Sequence, residues 1–87
     1  ANAVLAQGKD CKEASEMAAS IMDVRQTGVP TSGLAALLNL ASPDQRPWLN
    51  QLAKQAYEVE VFGSEEKRQQ AVLEFKEKTY QACMKGQ

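Results

Sequence analysis

The residues of this chain with the most distinctive chemistry are two cysteines, which stand near its two ends. Cys11 and Cys83 enclose most of a sequence of 87 residues that contains no histidine. The chain therefore lacks the usual general base, the commonest zinc ligand and the partner that activates a cysteine or serine nucleophile. Two cysteines alone are not expected to form a metal site. The pair is predicted to be a structural disulfide, with two buried free thiols in a cytosolic protein as the alternative.

The acidic residues show no recognisable catalytic arrangement. Glu58 and Glu60 alternate, and Glu65 and Glu66 are adjacent, but neither spacing is typical of an acid–base pair. The sequence has no nucleotide-binding glycine loop, internal repeat or low-complexity stretch. We therefore expect a non-enzymatic protein that uses no metal or cofactor. The alternative is an enzyme with an unusual site built on a carboxylate or a thiol.

Composition predicts one small globular domain. The chain is 44% hydrophobic but only 6% aromatic, so its core is expected to consist mainly of aliphatic side chains. Ten basic and eleven acidic residues leave a net charge of −1, with both signs interspersed. This balance argues against a nucleic-acid-binding protein and against a polybasic membrane-surface protein. No apolar run approaches the roughly 18 residues that span a bilayer, so membrane insertion is not expected.

The helical spacing of apolar residues predicts two long helices, each with one of the cysteines near its outer end. The first is predicted from Cys11 to Thr27, with Asp10 as its N-cap and Gly28 just after its end. The last is predicted over 64–83, and Ser64 is its expected N-cap because its hydroxyl can accept from an amide of the first turn. Each cysteine therefore lies at the outer end of a long helix, on its apolar side.

Two shorter helices are predicted between the long ones, over 33–41 and from 45 to 57 or 59. The first is apolar on almost every side, which is typical of a buried helix or of a patch that needs a partner. In the second, Trp48 is expected to anchor the core, with a ligand platform as the alternative. The expected N-caps are Thr31 or Ser32 for the first and Asp44 for the second.

The segment Glu58–Phe62 alternates apolar and polar residues, as a strand would. A single strand of five residues has no partner within this chain. We therefore expect a fraying helix end followed by an extended connector, with Phe62 in the core. Pairing of this segment with a second copy is the alternative.

These elements predict an all-α fold, a small bundle of about four helices in a single domain over residues 1–87. The first and last helices are long and the two between them are shorter. Helices that run alternately up and down bring Cys11 and Cys83 to the same end of the bundle, where one disulfide would tie the first helix to the last. Residues 1–9 are expected to be loosely ordered.

The last helix carries a second, narrow apolar line formed by Leu73, Tyr80 and Met84. Either this helix is central and packed from two directions, or the line binds a partner helix or a second copy in a homodimer. Arg25 and Tyr57 complete the candidate partner surface. Arg25 falls on the apolar side of the first helix, where its head is expected to cap carbonyls or meet a carboxylate, with a ligand anion site as the alternative.

The N-terminal residues predict export. The sequence begins without Met, and Ala1-Asn2-Ala3 has the form of a signal-peptidase site. The alternative is a truncated sequence or a cloning remnant. Together with the cysteine pair, these residues predict that the mature protein lies in the periplasm or is secreted.

Three sets of residues carry a resemblance to a group of proteins, and the segment 29–47 lies outside it. They are Cys11, Met17-Ala18, Ile21-Met22, Arg25-Gln26 and Gly28; Ala56-Tyr57, Phe62 and Ser64-Glu65-Glu66; and Ala71, Glu74-Phe75, Tyr80 and Cys83. In these residues the chain resembles the uncharacterised small exported, two-cysteine helical proteins of tailed phages and proteobacterial prophages. The resemblance implies a signal peptide, a helical fold and a phage or prophage context, and it implies no site residues.

The sequence therefore predicts a small non-enzymatic interaction protein of the periplasm or the cell exterior. Its expected partner is an envelope or cell-wall protein. The chain would act by inhibiting this partner or by excluding a second phage. The alternative is a periplasmic acid-stress chaperone in which Glu58, Glu60, Glu65 and Glu66 lose charge at low pH and loosen packing near Phe62. A third possibility is a carrier with a cavity between the second helix and the lone tryptophan.

Overall fold

The computed structural model describes residues 8–39 and 43–85, without the side chains of residues 8–10 and 37. Over these residues the chain is helical and contains no strand, which confirms the predicted all-α class. The prediction of two long and two shorter helices is also confirmed. In chain order they are α1 Gly8–Gln26, α2 Thr31–Leu38, α3 Arg46–Tyr57 and α4 Glu65–Lys85.

The first helix, α1, is the central element of the fold. It packs along α4 and against α3, while α2 packs against α3. The buried hydrophobic side chains of α1 recur at intervals of three or four residues, which places them on one face: Cys11, Ala14, Ala18, Ile21 and Met22. Lys12, Glu13, Glu16 and Asp23 lie on the exposed opposite face, whereas Arg25 is half-buried. The predicted amphipathic pattern of this helix is therefore confirmed.

The start of α1 differs from the prediction, and its end agrees to within one residue. The helix begins at Gly8, so Asp10 lies inside its first turn and the prediction of an N-cap at Asp10 is wrong. Extending an existing helix by a residue adds a hydrogen bond at little cost, which allows residues 8 and 9 to be helical. Residues 1–7 of the segment predicted to be loosely ordered lie outside the described residues. Beyond Gln26, Gly28 has a positive φ of 89°, the conformation for which glycine is favoured after a helix.

The short helix α2 begins earlier than the sequence indicates. Thr31 and Ser32 are its first two residues, so the prediction that one of them is the N-cap is wrong. The carbonyl of Pro30 instead accepts the first helical hydrogen bonds, from the N–H groups of Gly33 at 3.0 Å and Leu34 at 3.2 Å. The helix ends at Leu38. Residues 40 and 41 of the predicted helix lie outside the described residues.

The N-terminus of α3 is organised by a proline and has no side-chain cap. Gln45 occupies the N-cap position without a side-chain hydrogen bond, so the prediction of an N-cap at Asp44 is wrong. Pro47 lies in the first turn and has no N–H, which leaves fewer unpaired donors for a cap to satisfy. The helix ends at Tyr57, as predicted.

The N-terminus of α4 follows the prediction closely. The hydroxyl of Ser64 accepts a hydrogen bond from the N–H of Lys67 at 3.2 Å, and its carbonyl accepts from the N–H of Arg68 at 3.0 Å. Glu65 and Glu66 lie in the first turn, where negative charge is favourable. Ser64 is therefore confirmed as the N-cap. The helix runs to Lys85, two residues beyond its predicted end.

All four helices contribute to one hydrophobic core. The residues buried in it are mainly aliphatic, as composition predicts: Ala18, Ile21, Met22, Leu34, Leu49, Leu52, Ala56, Ala71 and Phe75. Trp48 and Phe62 are partly buried and pack against this core. The predicted role of Trp48 as a core anchor and the predicted insertion of Phe62 from the connector are therefore confirmed.

The interpretation that α4 is central and packed from two directions is wrong. Its buried residues, Ala71 and Phe75, face the core on one side. On the other side, 64% of the surface of Leu73 and 40% of the surface of Met84 remain exposed. The element packed by two neighbours is α1, because its apolar face is wide enough to contact both α3 and α4.

The disulfide between Cys11 and Cys83 is present and ties the start of α1 to the end of α4. The sulfurs are 2.01 Å apart and the Cα atoms 5.5 Å apart, within the usual range for such a bridge. Cys11 is fully buried. Because the two residues are 72 positions apart in sequence, the bridge closes a loop that contains most of the chain. In the chain-entropy model a loop of this length contributes about 4 kcal/mol of stability.

We expect reduction of this disulfide to lower the melting temperature by about 15 °C or more, because about 4 kcal/mol is a large share of the stability of a small domain. Thermal unfolding followed by circular dichroism with and without a phosphine reductant measures the shift. The double variant Cys11→Ser/Cys83→Ser is the control and should melt at one low temperature in both buffers. Equal melting temperatures for the oxidised and reduced protein would contradict the stabilising role of the bridge.

Candidate interaction surface

The clearest exposed apolar feature of the described residues is the line Leu73, Tyr80 and Met84 on α4. The residues are seven and eleven positions apart, so they fall within a narrow arc of the helix and extend over about 16 Å along its axis. Leu73 and Met84 are exposed and Tyr80 is half-buried. An exposed leucine is common by itself, but three large apolar side chains in one line on one rigid helix form a surface that another protein can contact.

The rigidity of this line comes from the opposite face of the same helix. Phe75 and Ala71 are buried against the core, and Cys83 is bonded to Cys11 one residue before Met84. Packing therefore holds the Leu73 end of the line, and the disulfide holds the Met84 end. A partner would pay little conformational entropy to bind a surface prepared in this way.

Arg25 and Tyr57, the other two candidate residues, are brought together at the far end of α1. The guanidinium of Arg25 lies over the ring of Tyr57, 4.9 Å from its centroid, and its Nε donates to the carbonyl of Val59 at 2.8 Å. The hydroxyl of Tyr57 donates to the carbonyl of Val29 at 2.6 Å. Arg25 thus caps a carbonyl, the first of the roles considered for it. Both side chains join the end of α3 to the end of α1.

Met84 and Arg25, two of the candidate residues, lie at opposite ends of the bundle. Met84 lies beside the disulfide, at the end of the molecule where α1 begins, whereas Arg25 lies in the last turn of α1. Cys11 and Arg25 are fourteen residues apart on one helix, which separates Met84 from Arg25 by about 21 Å along its axis. Leu73 lies ten residues before Cys83, so the line extends about 15 Å back towards the Arg25 end. Met84 and the Arg25–Tyr57 pair are therefore too far apart for one small contact site.

Gln26 is a structurally important residue that the sequence reading did not single out. Only 3% of its surface is exposed. Its Nε2 donates to the carbonyl of Glu60 at 2.8 Å, and its Oε1 accepts from the N–H of Phe62 at 3.0 Å. A signal was present in the sequence: Gln26 continues the line of Ala18 and Met22 at intervals of four, so it is a polar residue on an apolar stripe. Such a residue needs hydrogen-bond partners, and the connector supplies them.

Arg68 holds the same connector from the side of α4. Its Nε donates to the carbonyl of Phe62 at 2.8 Å, and one terminal nitrogen donates to the carbonyl of Gly63 at 3.2 Å. Residues 58–64 are thus fixed by side chains of α1 and α4 and have no regular structure of their own. The prediction that a connector, and not a strand, links α3 to α4 is confirmed, and polar contacts hold it in addition to the insertion of Phe62.

Two open grooves lie between the helices. One, of about 500 Å³, separates α2 from α3, and its apolar floor includes Leu34, Leu38 and Tyr57. The other, of about 380 Å³, lies where α1, α3 and α4 meet and is lined in part by Trp48 and Cys83. Neither groove is a closed cavity. In the part of the chain that is described, no three histidine, cysteine or carboxylate side chains are grouped to hold a metal ion. None of the described helices has the length and apolarity that crossing a membrane requires.

Comparison of the chain with protein-family models, with curated proteins and with solved structures finds no match. The resemblance to exported phage and prophage proteins therefore rests on the sequence motifs alone and stays a prediction.

We expect Gln26→Leu to lower the free energy of unfolding by about 2 kcal/mol, because it leaves the carbonyl of Glu60 and the N–H of Phe62 without their buried partner. Urea unfolding measures this loss. Hydrogen exchange at the amide of Phe62 should accelerate at the same time. The matched control is Gln69→Leu at an exposed position of α4, for which a change within about 0.5 kcal/mol is expected. Equal effects of the two substitutions would contradict the role assigned to Gln26.

Proposed function

We propose that this chain is a small exported binding protein, stabilised by one disulfide, that acts on another protein of the cell envelope or cell wall. The observation that carries the proposal is the exposed apolar line on α4, held rigid by the buried opposite face of that helix and by the Cys11–Cys83 bond. The expected mode of action is binding, as an inhibitor or an exclusion factor. Encoding by a phage or prophage is part of the proposal and is supported by the sequence resemblance.

The disulfide supports a location of the protein and its proposed partner outside the cytosol. Such bonds persist in the periplasm and outside the cell, where the environment is oxidising, and they are rare in the cytosol. A domain of this size gains much from a cross-link, since its core is small. The pairing of Cys11 with Cys83 therefore favours a protein that works after export.

The line on α4 favours a protein as the ligand. Apolar side chains that project from a single convex helix offer no enclosed volume for a small molecule, whereas they match a groove or a second helix on a protein. Large apolar and aromatic side chains such as Leu73, Tyr80 and Met84 are suited to fill pockets of a partner. Exposed Glu77 lies on the same face, four residues after Leu73 and seven before Met84, so the contact is expected to combine burial of apolar surface with one acidic group.

The acid-stress chaperone finds less support. Glu58, Glu60, Glu65 and Glu66 are all exposed, so none of them is buried in the packing around Phe62. The hydrogen bonds that hold the connector are made by Arg25, Gln26 and Arg68 instead. No observation in the structure favours this function over binding.

We expect the two cysteines to be oxidised in the cells that express this protein naturally. Acid quenching followed by alkylation with a mass-tagged maleimide should leave the protein unlabelled unless a reductant is added first. Fractionation should recover the protein with periplasmic or extracellular markers. A quantitatively labelled protein that fractionates with the cytosol would contradict export.

We expect Leu73→Glu combined with Met84→Glu to weaken partner binding by at least about tenfold, because it places two charges in an apolar contact. A photoreactive phenylalanine analogue at position 73 first identifies the partner in an envelope fraction by cross-linking. Titration calorimetry with the purified partner then measures the affinity of each variant.

The matched control is Gln70→Glu with Gln81→Glu. These residues are also eleven positions apart on α4 and exposed, they introduce the same charge, and they lie about 70° around the helix from the line. All variants should melt within a few degrees of the natural protein. Equal weakening by both pairs, or cross-linking that does not differ between positions 73 and 70, would refute the assignment of this surface.

A further inference from the structure

The Cys11–Cys83 bond joins a part of the bundle that lies outside the hydrophobic core. On α4 the core residues end at Phe75, and no residue in the described range 76–85 is buried. On α1, three small side chains are buried before the core begins: Cys11, Ala14 and Ser15. Burial of such side chains stabilises much less than burial of a phenylalanine or a methionine. The covalent bond is therefore the main constraint that holds residues 76–85 against α1.

The apolar line on α4 crosses the end of the core. Leu73 lies two residues before Phe75, whereas Tyr80 and Met84 lie beyond it. Parts of a protein with few buried apolar contacts open at a lower free energy than the core does. If residues 76–85 separated from α1, Leu73 would stay with the core while the other two residues moved. The bond therefore decides whether the three side chains present one surface.

The two sulfurs of the bond differ in access. Cys11 is fully buried. Cys83 is half-buried and lines the open groove where α1, α3 and α4 meet. Thiol–disulfide exchange depends on which sulfur an incoming thiolate can reach. The groove therefore favours attack at Cys83, with Cys11 as the leaving group.

We propose that the Cys11–Cys83 bond is a redox clamp, in which a dithiol reductant attacks Cys83 and thereby releases residues 76–85 from α1. A thiolate of the reductant bonds to Sγ of Cys83, and the electron pair of the S–S bond leaves on Cys11, which takes up a proton. The second thiol of the reductant then displaces Cys83 and closes a cyclic disulfide within the reductant. The protein gains two electrons and two protons, and the reductant loses them.

The clamp deepens the proposed function, and its consequence for binding rests on that function. In a reducing compartment the end of α4 is released, so Tyr80 and Met84 are not held in line with Leu73. Oxidation after export forms the bond and completes the surface. The change at the switch is one covalent bond, and the element that it controls is the last part of α4.

Order parameters from nitrogen-15 relaxation of the full chain test the release directly. In the oxidised protein we expect values of about 0.85 over both 66–75 and 77–84. After reduction with dithiothreitol at low temperature, residues 66–75 should keep this value and residues 77–84 should fall below about 0.6. The variant Cys11→Ser/Cys83→Ser should match the reduced protein without reductant. A rigid segment 77–84 after reduction, or an equal loss of order in both segments, would overturn the proposal.

A matched control separates loss of the bond from loss of stability. Phe75→Leu removes core packing from the same helix and leaves the bond intact. In this variant residues 77–84 should stay at about 0.85. Loss of order there would mean that packing, and not the bond, holds the end of α4, and would refute the clamp.

The site of attack is tested with glutathione, a monothiol that forms a mixed disulfide with the protein. The oxidised chain is exposed briefly, quenched with acid, alkylated and mapped by mass spectrometry. Glutathione should be found predominantly on Cys83 and the alkyl group on Cys11. Equal amounts of the two possible products, or glutathione mainly on Cys11, would contradict attack at Cys83.

Partner binding tests the consequence for the line. The double cysteine variant should bind the partner at least about tenfold more weakly than the oxidised protein, because Tyr80 and Met84 no longer stay aligned with Leu73. It is measured without reductant, so that disulfides of the partner stay intact. Equal affinities would contradict control of binding by the bond. If no partner is found, the proposed function fails, and the relaxation and mapping experiments on the isolated protein still decide whether the clamp exists.

Discussion

The packing of α1 against its neighbours is the constraint on which the rest of the structure depends. Its apolar face contacts both α3 and α4, and α2 is positioned through α3. Different chemistry secures its two ends. At the start, the buried sulfur of Cys11 is bonded to Cys83 of α4. In its last turn, Arg25 and Gln26 donate to carbonyls of the connector, which fixes where α3 ends and where α4 can begin.

This arrangement explains why one face of α4 is available for other contacts. A small bundle can bury one face of each helix against a central element, but it has too few elements to cover both faces of the last one. Phe75 is buried on one side of α4 and Leu73 remains exposed on the other. The same helix thus completes the core and presents a surface. Burial of one face supplies the rigidity that makes the exposed face suited to specific recognition.

Much of the fold could be predicted because its signals are local or periodic. Ser64 caps α4 because its hydroxyl needs only the amides of the next turn, and Gly28 ends α1 because its φ is positive. Asp44 has the right residue type for a cap but does not act as one, since α3 begins after Gln45 with a proline in its first turn. Cap residues indicate that a helix starts nearby; which of several polar residues occupies the N-cap depends on the backbone path before it.

The sequence by itself determined the all-α class and the four helices, because helical periodicity restricts them strongly. It also predicted the pairing of the cysteines, which the structure confirms. Only the tertiary structure decided which helix is central. Either of the two apolar lines on α4 could be buried or exposed. Which of them is buried depends on how many helices pack against α4. The role of Gln26 was decided in the same way. A polar residue on an apolar stripe requires a partner, but only the folded chain shows that the partner is the connector, 34 to 36 residues away.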